Sequence, residues 1–299
     1  MKSRTLISGD NSINIQADNV SLIFPDFLSE ATKNPIKTLD ESLVFISGLK
    51  KSSFLKEASQ ALESIYKIYN TPYLHKTPNH LLVSLTEELA LTKMDLGDIR
   101  GTPYSAIPLF LKASNLWKNM GNVYNSLFDI HMLGVCSGIV GYNKRAISIF
   151  KICRKNIPKG KRFEKLYAHV TRDLGIAFNR DELYFESAVL LNTCQNITKN
   201  WNSEFNFGLD IQKLAIALAG QKKFDESYRL LDDSSLILSF KDDLSYVKNL
   251  NAKHFFAVKL GDKKLENDLY KEIIEICNLR LFSHQKRVLI TQKNTGKTC

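Results

Sequence analysis

Helix breakers are scarce in this chain, with 7 prolines and 14 glycines in 299 residues, so long helical stretches meet few interruptions. No run of 18 apolar residues occurs, which leaves no membrane-spanning helix to read. Residues Met1 to Thr5 lead into polar Gly9-Asp10-Asn11 instead of an apolar segment; no secretion leader is read, and the expected location is cytoplasmic. The 5 cysteines (Cys136, Cys153, Cys194, Cys277 and Cys299) are odd in number, far apart and without a Cys-x-x-Cys pair. That excludes a disulfide framework and a zinc cluster and predicts reduced, buried thiols. Catalytic wiring is missing as well: there is no His-Glu-x-x-His, no Gly-x-Ser-x-Gly and no Gly-x-Gly-x-x-Gly. Gly296-Lys297-Thr298 copies the end of a phosphate loop, but the leading glycine is absent and no helix can follow. The 6 histidines show no ligand spacing. The expectation is a non-enzymatic chain with no cofactor and no metal.

What is present begins with an ordinary globular balance, 44% apolar and 24% charged residues, enough to build a core and too apolar for a disordered chain. The net charge of +10 is concentrated in two windows. Lys144, Arg145, Lys151, Arg154, Lys155, Lys159, Lys161, Arg162 and Lys165 stand against the single acid Glu164, giving +8. Residues 280–299 add +5 and hold no acid, so the remainder of the chain carries −3. Such a local excess suits an acidic partner or nucleic acid; it equally suits a solvated helix face and a solubilising tail. Aromatics that would stack on bases are sparse there.

A repeat organises the middle of the chain. Ala106/Phe110, Ala146/Phe150, Ser187/Leu191, Ser227/Leu231 and Glu266/Tyr270 each set a usually small residue four before a large one, and the second members step by 40, 41, 40 and 39 residues. Twelve residues before the small position stand Gly134, Gly175, Ala215 and His254, preceded by Leu133, Leu174, Leu214 and Lys253. A small residue lets antiparallel helices approach, a large one fills the next groove, and a turn residue (Gly141, or Gly261 in the last copy) joins them. Such pairs bury their apolar faces only by stacking. Leu133-Gly134, Gly141-Tyr142, Ala146, Phe150 and Pro158 resemble the tetratricopeptide repeat, and the later copies follow with decreasing fidelity. The longer period is similar to that of bacterial regulatory members. The resemblance covers residues 102–278 and implies an all-α, right-handed tetratricopeptide-like α-solenoid that works by binding.

Residues 38–100 read as three helices packed on that array. Thr38-Leu39-Asp40-Glu41 has the form of a capping box, and Thr102-Pro103 that of a helix start. A helix-turn-helix around Gly48 fails on the spacing of its apolar positions. Residues 1–25 alternate apolar and polar between Gly, Asp and Asn turns, as a β-hairpin-like or flexible extension does. The Ser8-Gly9-Asp10-Asn11 and Ile13-Asn14-Ile15-Gln16 wording is similar to N-terminal segments of bacterial mobile-element and defence proteins. Residues 279–299 form a basic tail.

The resemblance implies a groove lined by the first helix of each pair, whose outward positions are His131, His169, Arg172, Asn179, Arg180, Gln212, Lys248, Asn251 and Lys259. Amides there can bond a peptide backbone and cations can hold a carboxylate. With no acid in the set, a peptide with a free C-terminus or acidic residues would suit it. Trp117 and Trp201 are expected to pack between repeats. The expected function is a regulatory or adaptor protein with a protein or peptide partner and no membrane partner. The alternative is a nucleic-acid-associated accessory protein, of a bacterial defence or mobile-element system, acting through the basic patch.

Overall fold

A computed structural model describes residues 33–51, 54–69, 79–201, 203–239 and 242–279. Among the described residues there are twelve α-helices and no strand: α1 (Pro35–Lys51), α2 (Leu55–Tyr69), α3 (Asn79–Asp95), α4 (Ala106–Asn119), α5 (Val123–Ile139), α6 (Asn143–Asn156), α7 (Glu164–Arg180), α8 (Tyr184–Thr198), α9 (Glu204–Gly220), α10 (Phe224–Leu238), α11 (Asp243–Leu260) and α12 (Lys263–Leu279). The expected extension over 1–25 and all of the basic tail beyond Leu279 lie outside the described residues. The chain divides into two compact units, Met1–Tyr142 and Asn143–Cys299, and the division falls inside the repeat stretch.

In the first unit, α2 buries Ala58, Ala61, Leu62, Ile65 and Tyr66 on one face, as their three- and four-residue spacing dictates. They share a core with Leu81, Leu85 and Leu89 of α3 and Ala106, Leu109 and Phe110 of α4. Each large side chain removed from water there contributes about 1.5–3 kcal/mol. Ion pairs tie the edges: Lys50 to Glu88 at 2.6 Å, and Lys93 to both Glu63 at 3.0 Å and Asp98 at 3.2 Å.

Two helix starts differ from the sequence reading. Thr38 is not a cap: α1 begins at Pro35, and the Thr38 hydroxyl donates back to the Asn34 carbonyl at 2.9 Å. Proline fits the first turn because its missing N–H has no partner to lose there. Thr102 likewise precedes the helix instead of capping it. Its hydroxyl accepts from the Tyr104 N–H at 3.2 Å, while Ser105 donates to Asp98 at 2.8 Å and stands at the N-cap of α4.

The second unit realises the repeat. Helices α7 and α8, α9 and α10, and α11 and α12 pack as successive pairs, and α9 also touches both α7 and α11. The small-residue positions Ser187 and Ser227 are fully buried, and each hydroxyl donates at 2.7 Å to a carbonyl twelve residues earlier, Gly175 for Ser187 and Ala215 for Ser227. The same bond thus fastens two helix pairs at the same place. Gly175 is required by approach: a Cβ there would lie 2.8 Å from the Leu191 side chain. The pairs turn through one left-handed residue, Glu182 (φ 60°), Lys222 (φ 65°) and Gly261 (φ 74°) in turn. The N–H after it returns to a carbonyl five residues back, at 2.9 Å for Leu183 and 3.0 Å for Lys223 and Asp262. This is the Schellman way of ending a helix.

The four described cysteines, Cys136, Cys153, Cys194 and Cys277, are buried and unbridged. Burial pushes three of the thiols up, to about 11 for Cys136 and about 12 for Cys153 and Cys194, so these three stay protonated and pack as small apolar groups.

Candidate functional site

The face formed by α7, α9 and α11 is built from polar side chains whose hydrogen bonds cross between neighbouring first helices. Arg172 on α7 is its anchor. It is 8% exposed, and its Nε and Nη2 donate to the two carboxylate oxygens of Asp210 on α9, the latter at 3.1 Å. Asp210 is fully buried and also accepts from the Thr198 hydroxyl at 2.7 Å. Burial works against the Arg172 charge, but the hydrogen bonds and charge of Asp210 more than offset it and hold the guanidinium above its ordinary pKa. The remaining Nη1 donates to His169 Nδ1 at 3.2 Å and to Asn206 at 3.4 Å. This corrects the expectation of an acid-free face on which Arg172 is an outward cation: its charge is neutralised within the fold.

Gln212 is also internal. It donates to the Ser245 carbonyl at 3.2 Å and to Asn249 at 3.3 Å, and its own carbonyl accepts from Lys213 at 2.8 Å. Asn179 is half-buried; its amide donates to the Lys213 carbonyl at 3.4 Å, while its Oδ1 accepts no hydrogen bond from the described residues. Asn251 is 5% exposed, and among the described residues neither its amide nitrogen nor its oxygen has a hydrogen-bond partner. Arg180, Lys248 and Lys259 are exposed, and Lys259 lies over the Phe255 ring at 5.4 Å. His169 is half-buried. His131 is buried on α5 of the first unit, its ring edge-on to Phe128.

Two residues here are not among the groove positions of the sequence reading. Lys213, half-buried on α9, has its ammonium pushed down to about 8, chiefly by burial and then by the like charges of Lys248, Arg180 and Arg172. Three helices thus direct cations at one point, where an anion would relieve the repulsion. Trp201, expected as packing, walls a cleft of about 400 Å³ with Lys165, His169, Ser203 and Asn206. Its ring centroid lies 6.1 Å from that of His169.

The basic window is a surface of the second unit. Lys144, Arg145, Lys151, Lys155, Lys159, Lys161, Arg162 and Lys165 are exposed along α6, the following turn and the start of α7. Arg154 is half-buried and tied, donating to the Tyr167 hydroxyl at 2.5 Å and to Thr171 at 3.2 Å. Lys151 lies over the Phe178 ring. Among the described residues no three His, Cys, Asp or Glu side chains converge as metal ligands would, and no helix is long and apolar enough to cross a membrane.

No family model and no curated protein matches this sequence. Solved structures do match the fold. The tetratricopeptide-like repeats of a kinesin light chain protein from Podospora anserina superpose with a TM-score of 0.54 at 16% identity, over 70% of this chain and 96% of that one. NprR in complex with its cognate peptide NprX gives 0.59 at 15% identity, over 91% of this chain and 76% of that one. PlcR of Bacillus thuringiensis, in complex with the peptide PapR7 and DNA, gives 0.50 at 16% identity, over 69% and 71%. The chain therefore has the fold of tetratricopeptide-repeat α-solenoid proteins.

Proposed function

We propose that the protein is a non-enzymatic regulator or adaptor that takes a peptide or protein segment on the α7–α9–α11 face. The observation that carries this reading is the polar capacity left over on that face: both amide atoms of Asn251 and the Oδ1 of Asn179 make no hydrogen bond among the described residues. Buried polar groups without partners are costly and uncommon in native folds. A backbone laid across the face supplies the matching N–H and C=O groups, as in other peptide grooves. The Lys213, Lys248 and Arg180 charges suit a carboxylate, either a C-terminus or an acidic side chain. Two structures of the same fold, NprR and PlcR, hold peptides, which supports the class of ligand without naming it.

The test is a peptide library screened against the full chain, with each sequence offered both as the free acid and as the amide. Binding that weakens at least tenfold on amidation, and again in Lys248→Glu or Asn251→Leu, supports the reading. Affinity indifferent to both changes overturns it. Arg172→Ala is a poor probe, because it strands Asp210 and unfolds the site instead of reporting on the ligand.

The exposed cations of α6 favour a second reading, a nucleic-acid contact on the basic patch. Its mark is a steep loss of affinity with salt, since each phosphate contact releases counterions.

A further inference from the structure

The first unit holds a second polar site unrelated to the peptide face. A cleft of about 580 Å³ is lined by Leu43 and Ser47 of α1, Ser84, Glu87, Glu88 and Leu91 of α3, and Tyr124, Asn125 and Phe128 of α5. Behind Glu87 lies Asp129, which is fully buried. No N–H or hydroxyl of the described residues donates to either Asp129 oxygen; its carboxyl meets that of Glu87, and Glu87 in turn accepts from Trp117 Nε1 at 2.6 Å.

Cations on the neighbouring helices have partners of their own. Lys50 on α1 is bound to Glu88 at 2.6 Å. Lys93, on the same helix as Glu87, is held by Glu63 and Asp98, and Lys112 on α4 donates to the Tyr66 hydroxyl at 2.7 Å. The charge facing the pair from its surroundings is Glu88, which adds to the repulsion. Two carboxyls in contact cannot both ionise cheaply. Burial first, and then the charge of Glu87, raise Asp129 well above the ordinary carboxylate range; burial and the charge of Glu88 raise Glu87 against the hydrogen bonds from Trp117 and Asp129, so without a ligand the pair keeps a proton, Asp129 donating it to Glu87.

We propose that this cleft is a binding site for a guanidinium group, which takes the place of the proton shared by Glu87 and Asp129. The chemistry favours guanidinium over ammonium: its planar fork of donors matches paired carboxylate oxygens, and its face stacks on aromatic rings such as Tyr124 and Phe128. The bound cation and the proton compete for the same oxygens. Binding therefore releases about one proton, and affinity rises as pH rises, by up to tenfold per unit.

The experiment is isothermal titration of the full chain with agmatine and with acetyl-Gly-Arg-Gly-amide, at several pH values and in two buffers of different ionisation enthalpy. Acetyl-Gly-Gln-Gly-amide is the control. Expected are binding of a guanidinium probe but not of the control, proton release, and a loss of at least tenfold in Glu87→Gln. Asp129→Asn, which keeps a hydrogen-bond donor to Glu87 without needing a proton, should fold with an unchanged or higher melting temperature and bind without proton release. A peptide that binds more than tenfold tighter than agmatine identifies the arginine of a polypeptide as the natural occupant; equal affinity identifies a free guanidinium compound. No binding by either probe at about 5 mM, or binding that Glu87→Gln and pH leave unchanged, overturns the proposal.

Discussion

Single residues decide how the turns and the charged interior behave. Glu182 and Lys222 hold the left-handed position that Gly261 holds in the last copy, and a side chain there costs about 1 kcal/mol or more. Glu182→Gly and Lys222→Gly are expected to stabilise the protein by about 0.5–1 kcal/mol each and Gly261→Ala to destabilise it by about 1 kcal/mol, as read from urea melts. Lys213 sets a pH dependence. Its ammonium titrates at about 8 in the folded chain against an ordinary 10.5. Between those values the unfolded chain binds the proton and the folded chain does not, so stability rises with pH across that window. In Lys213→Met the rise should vanish when melts near pH 7.5 and pH 10 are compared. A carboxylate ligand restores the proton, so affinity at this face should fall above about pH 8.

At the scale of the element, the helix pairs were legible and their cross-links were not. The small-then-large spacing of Ser187/Leu191 and Ser227/Leu231 is local, and it reports packing within a pair that forms from neighbouring sequence. The paired bonds Ser187 to Gly175 and Ser227 to Ala215 give that spacing its chemistry. Ser187→Ala and Ser227→Ala should each cost about 1 kcal/mol. The two bonds share no partner, so the double variant should add the losses to within about 0.5 kcal/mol. The start of α1 escaped because Thr38 and Glu41 match a cap in wording, whereas Pro35 three residues earlier already fixes the first turn. Arg172 escaped for a different reason. Its partner Asp210 is 38 positions away, close to one repeat period, as are Asn179 with Lys213 at 34 and Gln212 with Asn249 at 37. Bonds between successive first helices recur at that interval, so complementary residues one period apart were the readable signal. Asp210→Ala, which leaves a buried guanidinium unpaired, should cost about 3–5 kcal/mol.

For the molecule as a whole, the question is which surface the net charge of +10 serves. A charge spread evenly would raise affinity for any polyanion without choosing a site, but here eight exposed cations gather along α6, the following turn and the start of α7. The α7–α9–α11 face carries fewer exposed charges and more unsatisfied amide capacity. The two surfaces therefore predict different physics from one protein. Replacing Lys144, Arg145 and Lys155 together by Glu leaves the amide face intact, so peptide affinity should stay within about twofold once measured at physiological ionic strength, where exposed charges are screened beyond about 8 Å. Were single-stranded nucleic acid the partner, the same variant would lose affinity steeply. Its log–log salt slope would shrink by about 0.7 for each phosphate contact removed. Fluorescence anisotropy of a labelled peptide and a labelled oligonucleotide, each titrated at 50 and 200 mM salt, separates the cases. A flat peptide response with weak, sequence-blind oligonucleotide binding places function on the amide face; tight oligonucleotide binding abolished by the triple change places it on α6.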